Sequence, residues 1–92
     1  MTRALLVSVR GQVQGVGYRA WTEAKARELG LSGWVRNRRD GSVEALFSGD
    51  TARVDEMVGF CWQGPMAARV DKVEAEAAVA PLQLGFRTLP TA

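Results

Sequence analysis

The apolar residues of this chain change their period along its length, and the order of those changes leaves few folds open. Over residues 4–10, Leu5, Val7 and Val9 alternate with Leu6, Ser8 and Arg10, the period of two that a strand with one better-buried face requires. This strand is expected to end at Gly11. Residues 18–29 are rich in Ala, Glu, Lys, Arg and Leu, strong helix formers, and Gly30 stands where a left-handed C-terminal cap belongs. The apolar face of this helix is assigned to Ala20, Trp21 and Ala24, with Leu31 following and Glu28 inside the same arc.

Strand-like runs return over residues 33–38 and 42–48, joined through Arg39, Asp40 and Gly41. An Asp-Gly pair between two such runs marks a hairpin, because the turn needs a positive φ that glycine adopts freely. A second helix is expected to start at Asp50 or Thr51, either of which could cap its free amides. Val54, Met57, Val58 and Cys61 make an apolar stripe along it at helical spacing. Gly64 and Pro65 end it. Residues 69–79 then alternate imperfectly as a long strand that Pro81 breaks, residues 83–88 offer a short edge strand, and a frayed tail is expected after Leu89. The order is βαββαβ, a ferredoxin-like α+β sandwich in which an antiparallel sheet carries both helices on one face.

A chain of 92 residues holds one hydrophobic core, so residues 1–92 are read as a single domain. The net charge of +2 is too small for an extended nucleic-acid footprint. The basic residues are local: Arg10 and Arg19 flank a glycine-rich segment, and Arg36, Arg38 and Arg39 crowd one hairpin, a pattern that suits one small anion. Cys61 is the only cysteine, which excludes an intramolecular disulfide and fits a reducing compartment. The apolar run near the start is too short for a signal-peptide core or a membrane span, so a cytoplasmic location is expected.

Residues 11–19, Gly-Gln-Val-Gln-Gly-Val-Gly-Tyr-Arg, fall between a strand and a helix. Glycines there let successive N–H groups point inward as a nest, and the helix start adds its positive dipole end, so the segment suits phosphate oxygens. Arg19 adds a forked cation at the first turn. From glycine spacing alone, a tight connection with no ligand fits equally. Gly15, Gly17 and Ala20 also satisfy a loose dinucleotide pattern with Asp40 as a ribose partner, but that fold needs a parallel sheet, and Asp40 belongs to a hairpin turn. A Walker loop fails for want of Gly-Lys-Ser or Gly-Lys-Thr, and an RNA-recognition sheet fails because residues 42–48 hold one aromatic, Phe47.

The chain has no histidine, which excludes a Ser-His-Asp triad and histidine metal sites. A cysteine phosphatase loop needs an arginine where Ala67 stands. Asp50, Asp55 and Glu56 are read as a solvated helix face, and no metal is expected. Trp21, Trp34, Phe47 and Trp62 are read as packing residues. Asn37, just before a turn, commonly serves backbone groups.

The segment from Gly11 to Arg19, followed by Gly33-Trp-Val-Arg-Asn37 and Asp40-Gly-Ser-Val-Glu44, closely resembles the two signature segments of the acylphosphatase family, and the likeness continues through Gly64-Pro65 and the run from Ala68 to Val73. The resemblance implies that Arg19 binds the phosphoryl group, that the amides of Gln14, Gly15, Val16, Gly17, Tyr18 and Arg19 form its cradle, and that Asn37 orients the attacking water. It implies hydrolysis of a small acyl phosphate by a monomer without cofactor, metal, nucleic-acid or membrane partner, at a loop that phosphate or sulfate could also occupy. A non-catalytic anion-binding module with the same architecture is the alternative. Two departures stand out: Gly17 replaces an aromatic found in some members, and the closing residues, with Pro90, do not look like the usual last strand.

Overall fold

A computed structural model describes residues 1–92. Along the chain it runs β1 (Thr2–Gln12), α1 (Tyr18–Glu28), β2 (Ser32–Asn37), β3 (Val43–Asp50), α2 (Thr51–Cys61), β4 (Arg69–Ala77) and β5 (Phe86–Thr88). Leu5, Val7 and Val9 are buried as their alternation demands, and opposite them on β3 Val43, Ala45 and Phe47 share the same face. Both helices cover that face. The strands lie in the order β4-β1-β3-β2-β5, antiparallel except for β5, which runs parallel to β2 at the edge. The α+β ferredoxin-like arrangement expected from the periods is therefore present, with one short parallel strand added.

Strand β1 does not end at Gly11. A register shift between Arg10 and Gly11 lets it bulge and continue beside β4 to Gln12, and an added Cβ at Gly11 would collide with the Arg69 carbonyl oxygen. Glycine here extends the strand, and the extra two residues carry the chain to the start of the loop.

Helix α1 buries Tyr18, Thr22 and Ala26, with Trp21 and Leu29 packed beside them, whereas Ala20 and Ala24 are exposed. The expected face was rotated because it followed hydrophobicity, while a threonine and the apolar ring of a tyrosine fill the buried row at four-residue spacing. Its end is as expected: Gly30 is left-handed at φ 71°, the Leu31 N–H donates to the Ala26 carbonyl and the Gly30 N–H to the Arg27 carbonyl. Helix α2 buries Val54, Met57 and Cys61, with Val58 half-buried. Neither Asp50 nor Thr51 caps it; the Thr51 hydroxyl donates instead to the Met1 carbonyl.

The closing residues are not frayed. The Leu89 N–H donates to the Val35 carbonyl, the Ala92 N–H to the Asn37 carbonyl, and the Arg39 N–H to the Ala92 oxygen, so the ladder steps over Pro90, which has no N–H to place. Phe86 from β5 stacks on Phe47 with ring centroids 5.6 Å apart, closing the core under the sheet edge. Of the four aromatics read as packing, Phe47 is fully buried, Trp21 and Trp34 partly so, and Trp62 is half exposed at the end of α2. Truncating Phe47→Ala is expected to lower unfolding stability by about 3–5 kcal/mol in urea denaturation, and Trp62→Ala by less than about 1 kcal/mol.

Candidate functional site

Val13 and Tyr18 are buried at the two ends of the loop, and the chain turns between them through Gly15 at φ 75° and Gly17 at φ 81°. Both angles lie in the left-handed region that favours glycine, which accounts for Gly17 in place of an aromatic. Val16, between them, packs against the core. The N–H groups of Gln14, Gly15, Val16 and Gly17 donate to no protein acceptor. The first helical bond runs from the Trp21 N–H to the Gly17 carbonyl, so the amides of Tyr18 to Ala20 belong to the unpaired first turn of α1. The loop between β1 and α1 thus carries left-handed glycines and unpaired amides beside the N-terminal, positive end of the α1 dipole.

Tyr18 fixes this loop from below. Its hydroxyl donates to the Cys61 carbonyl at 2.6 Å, joining the start of α1 to the end of α2. Burial, and next the nearby Cys61, hold the phenol protonated far above its usual range, and burial pushes the Cys61 thiol up to about 12. Neither group is an available nucleophile. Gly64, at φ 65°, gives the tyrosine its room, since a Cβ there would stand 2.7 Å from the ring.

From the other side the β2–β3 turn closes in. The Asp40 carboxylate accepts from the Ser42 N–H at 2.9 Å and from its hydroxyl at 2.6 Å, completing the expected hairpin. The Ser42 bonds, with help from Arg10 and Arg38, hold the Asp40 carboxyl below the usual carboxylate range. Gln14 ties loop and turn together: its side-chain amide donates to the Arg38 carbonyl at 2.7 Å and to the Ser42 carbonyl at 2.8 Å. The sequence reading gave Gln14 only a backbone role. A partner 24 and 28 residues away leaves no local signal to find.

Arg19 and Asn37 line one cavity of about 350 Å³ together with Gly15, Gly17 and Tyr18, at the small end of ligand pockets. The Arg19 guanidinium has no hydrogen bond or ion pair in the protein, while Asn37 Oδ1 is buried without a partner. Most of the other arginines are committed elsewhere, and Arg39 and Arg87, which have no ion pair, do not line this cavity. Arg36 and Arg38 reach Glu44 at 2.7 and 3.1 Å on the open face of the sheet, and Arg36 stacks over Trp34, so they solvate the hairpin and do not line the cavity. Asp55 and Glu56 are likewise engaged, with Arg3 and Arg53. A second concavity on the open face is lined by Glu44, Glu74 and Glu76 beside Arg10, a set that repels an anion.

Glu23 and Thr88 also line the Arg19 cavity and were missed. Glu23 was within reach of the sequence, because it lies one helical turn beyond Arg19. Thr88 was not, since only the docking of β5 brings it there. No group of three or more histidine, cysteine or acidic side chains stands where it could hold a metal, and no helix is long and apolar enough to cross a membrane.

A family model described as acylphosphatase matches residues 5–88. The chain is 61% identical over 79 residues to an acylphosphatase of Bradyrhizobium diazoefficiens, spanning 85% of this chain and 80% of the relative. It is 52% identical over 89 residues to an acylphosphatase of Rhodospirillum rubrum, spanning 97% and 98%. Among solved structures, an acylphosphatase from Coxiella burnetii superposes with a TM-score of 0.92 at 35% identity, covering 96% of this chain and 93% of that one.

Removing the Gln14 bridge in Gln14→Ala is expected to lower stability by about 1–2 kcal/mol in urea, the worth of one exposed and one partly buried hydrogen bond. Asp40 titrates lower in the folded chain than in the unfolded one, so its contribution is full above the unfolded value of about 3.9 and is lost as pH falls through the depressed one. Urea midpoints at pH 7 and pH 3 are therefore expected to differ less for Asp40→Asn than for wild type.

Proposed function

This chain belongs to the acylphosphatase family, whose reaction is the hydrolysis of acyl phosphates, and from that premise we propose that Arg19 and the amides from Gln14 to Arg19 bind the phosphoryl group while Asn37 directs water onto it. The observation that carries this reading is the pairing of two unsatisfied groups across one cavity: a guanidinium without a counter-ion and a buried carboxamide oxygen without a donor. A buried polar atom is almost always paired, so the lone Asn37 oxygen suits a partner that arrives with the substrate, and the uncompensated Arg19 charge in the same cavity suits an anionic one.

The chemistry asks for little more. The phosphoryl oxygens gain negative charge density around phosphorus during attack, and N–H dipoles and a guanidinium fixed in advance stabilise that charge without reorganising. The carboxamide oxygen of Asn37 accepts a hydrogen bond from the water and holds its lone pair toward phosphorus. The new P–O bond forms as the bond to the acyl oxygen breaks, the carboxylate departs with its electron pair, and a phosphoryl oxygen takes the water's proton. A carboxylate is a weak base, so its departure needs no general acid, consistent with a chain that lacks histidine. The step needs no Lewis acid, because guanidinium and amides supply the positive field, and no covalent intermediate, because the water attacks phosphorus directly.

We read the protein as a cytoplasmic monomer on two supports: its one thiol, Cys61, is buried and unpaired, as suits a reducing compartment, and the cavity is assembled within one chain. Benzoyl phosphate hydrolysis is expected to persist in EDTA. Arg19→Ala is expected to lose at least about 100-fold in kcat/KM, and Asn37→Ala roughly 100-fold in kcat while inorganic phosphate still inhibits. Equal rates for Arg19→Ala and wild type would end this reading; phosphate binding without turnover in wild type would favour the non-catalytic module.

A further inference from the structure

Inside the cavity that holds Arg19 stands a carboxylate, Glu23, which an anion site would ordinarily avoid. Residues four apart on a helix are neighbours, so Glu23 has two arginines within reach, Arg19 one turn before it and Arg27 one turn after. It bonds only one of them. Glu23 Oε1 meets the Arg27 guanidinium at 2.8 Å, and Oε2 accepts from the Thr88 hydroxyl at 2.7 Å. Arg27 is itself held, donating through Nε and Nη2 to the Phe86 carbonyl at 3.2 and 3.1 Å. Both oxygens of the one carboxylate that could neutralise Arg19 are therefore drawn to β5, directly by Thr88 and indirectly by Phe86 through Arg27.

We propose that Thr88 and Arg27 are positioning residues that hold Glu23 away from Arg19 and so keep the guanidinium free for the phosphoryl group. The inference rests on the reading of Arg19 as the phosphoryl ligand. It gives the short parallel strand a task in the reaction: β5 reaches α1 at the turn that follows the catalytic one, and clamps the nearest competing anion. Charge order along the helix works the same way, since a glutamate pairs better with a cation on its C-terminal side than with one before it. When the Thr88 hydroxyl is removed, Oε2 is released toward the cavity, and an intramolecular carboxylate then competes with phosphate for Arg19.

The test uses the full chain and inorganic phosphate as the probe, with binding measured by calorimetry at low ionic strength and benzoyl phosphate turnover measured alongside. Thr88→Val, which keeps the β-branched shape, is expected to weaken phosphate binding and raise KM by roughly two- to fivefold, the scale of one exposed ion pair, with kcat changed far less. Arg27→Gln reaches the same end by a second route and covers the case in which Thr88→Val does not fold. Adding Glu23→Gln to either variant is expected to restore binding, which a packing defect would not allow. Phosphate bound by both single variants as tightly as by wild type would overturn the clamp while leaving wild-type hydrolysis standing. A loss that Glu23→Gln fails to restore would overturn it too. Wild type that binds phosphate but does not turn over would instead overturn the hydrolytic reading, and the clamp would still be read from binding.

Discussion

Val13 and Tyr18 are both buried, and the chain between them has four residues in which to leave one element and enter a helix. That constraint makes the site. With its ends held in the core, the loop turns through left-handed glycines, and its N–H groups meet no protein acceptor, which suits the cradle proposed for the phosphoryl group. The unpaired amides are affordable because they lie at the surface in a water-accessible concavity, with the first turn of α1 adding its own free donors. The hydrogen bond from Tyr18 to Cys61 and the bridge from Gln14 to the β2–β3 turn hold the curl against both halves of the fold.

The electrostatics follow from the same partition. Most arginines in the chain have an acidic partner on the surface: Arg3 with Asp55, Arg36 and Arg38 with Glu44, Arg53 with Glu56, Arg69 with Asp71. Exposed pairs of this kind contribute little stability each, but they occupy the cations. Arg19 is left with its charge uncompensated beside the nest, and the carboxylate nearest to it along the helix is turned toward β5. A net charge of +2 thus hides an uneven distribution, with an unpaired arginine in the cavity on one side and a cluster of glutamates on the open face of the sheet.

Much of this was legible in the order of residues. Alternation of Leu5, Val7 and Val9, the Asp40-Gly41 turn, Gly30 after the first helix and the Val54–Met57–Cys61 stripe each reported a local geometry, and the structure has each of them. The glycines of the loop also signalled their left-handed angles. What was not legible depended on contacts between distant elements. The buried row of α1 runs through Tyr18, Thr22 and Ala26, a face set by how the helix docks and not by the hydrophobicity of its residues. Gly11 at the bulge has no room for a side chain because the Arg69 carbonyl of the neighbouring β4 lies against it. The order after Leu89 comes from β2, whose carbonyls accept from Leu89 and Ala92. The roles of Gln14 and Thr88 likewise depend on partners that tertiary folding supplies.

Amide chemical shifts followed by NMR while inorganic phosphate is added test the central claim most directly, because they report on the cradle whether or not turnover occurs. Saturable shifts concentrated at the backbone amides from Gly15 to Arg19, with the Asn37 side chain responding in the same titration, are the predicted result. Shifts confined to the glutamate-lined open face, or an unchanged spectrum at millimolar phosphate, would contradict it.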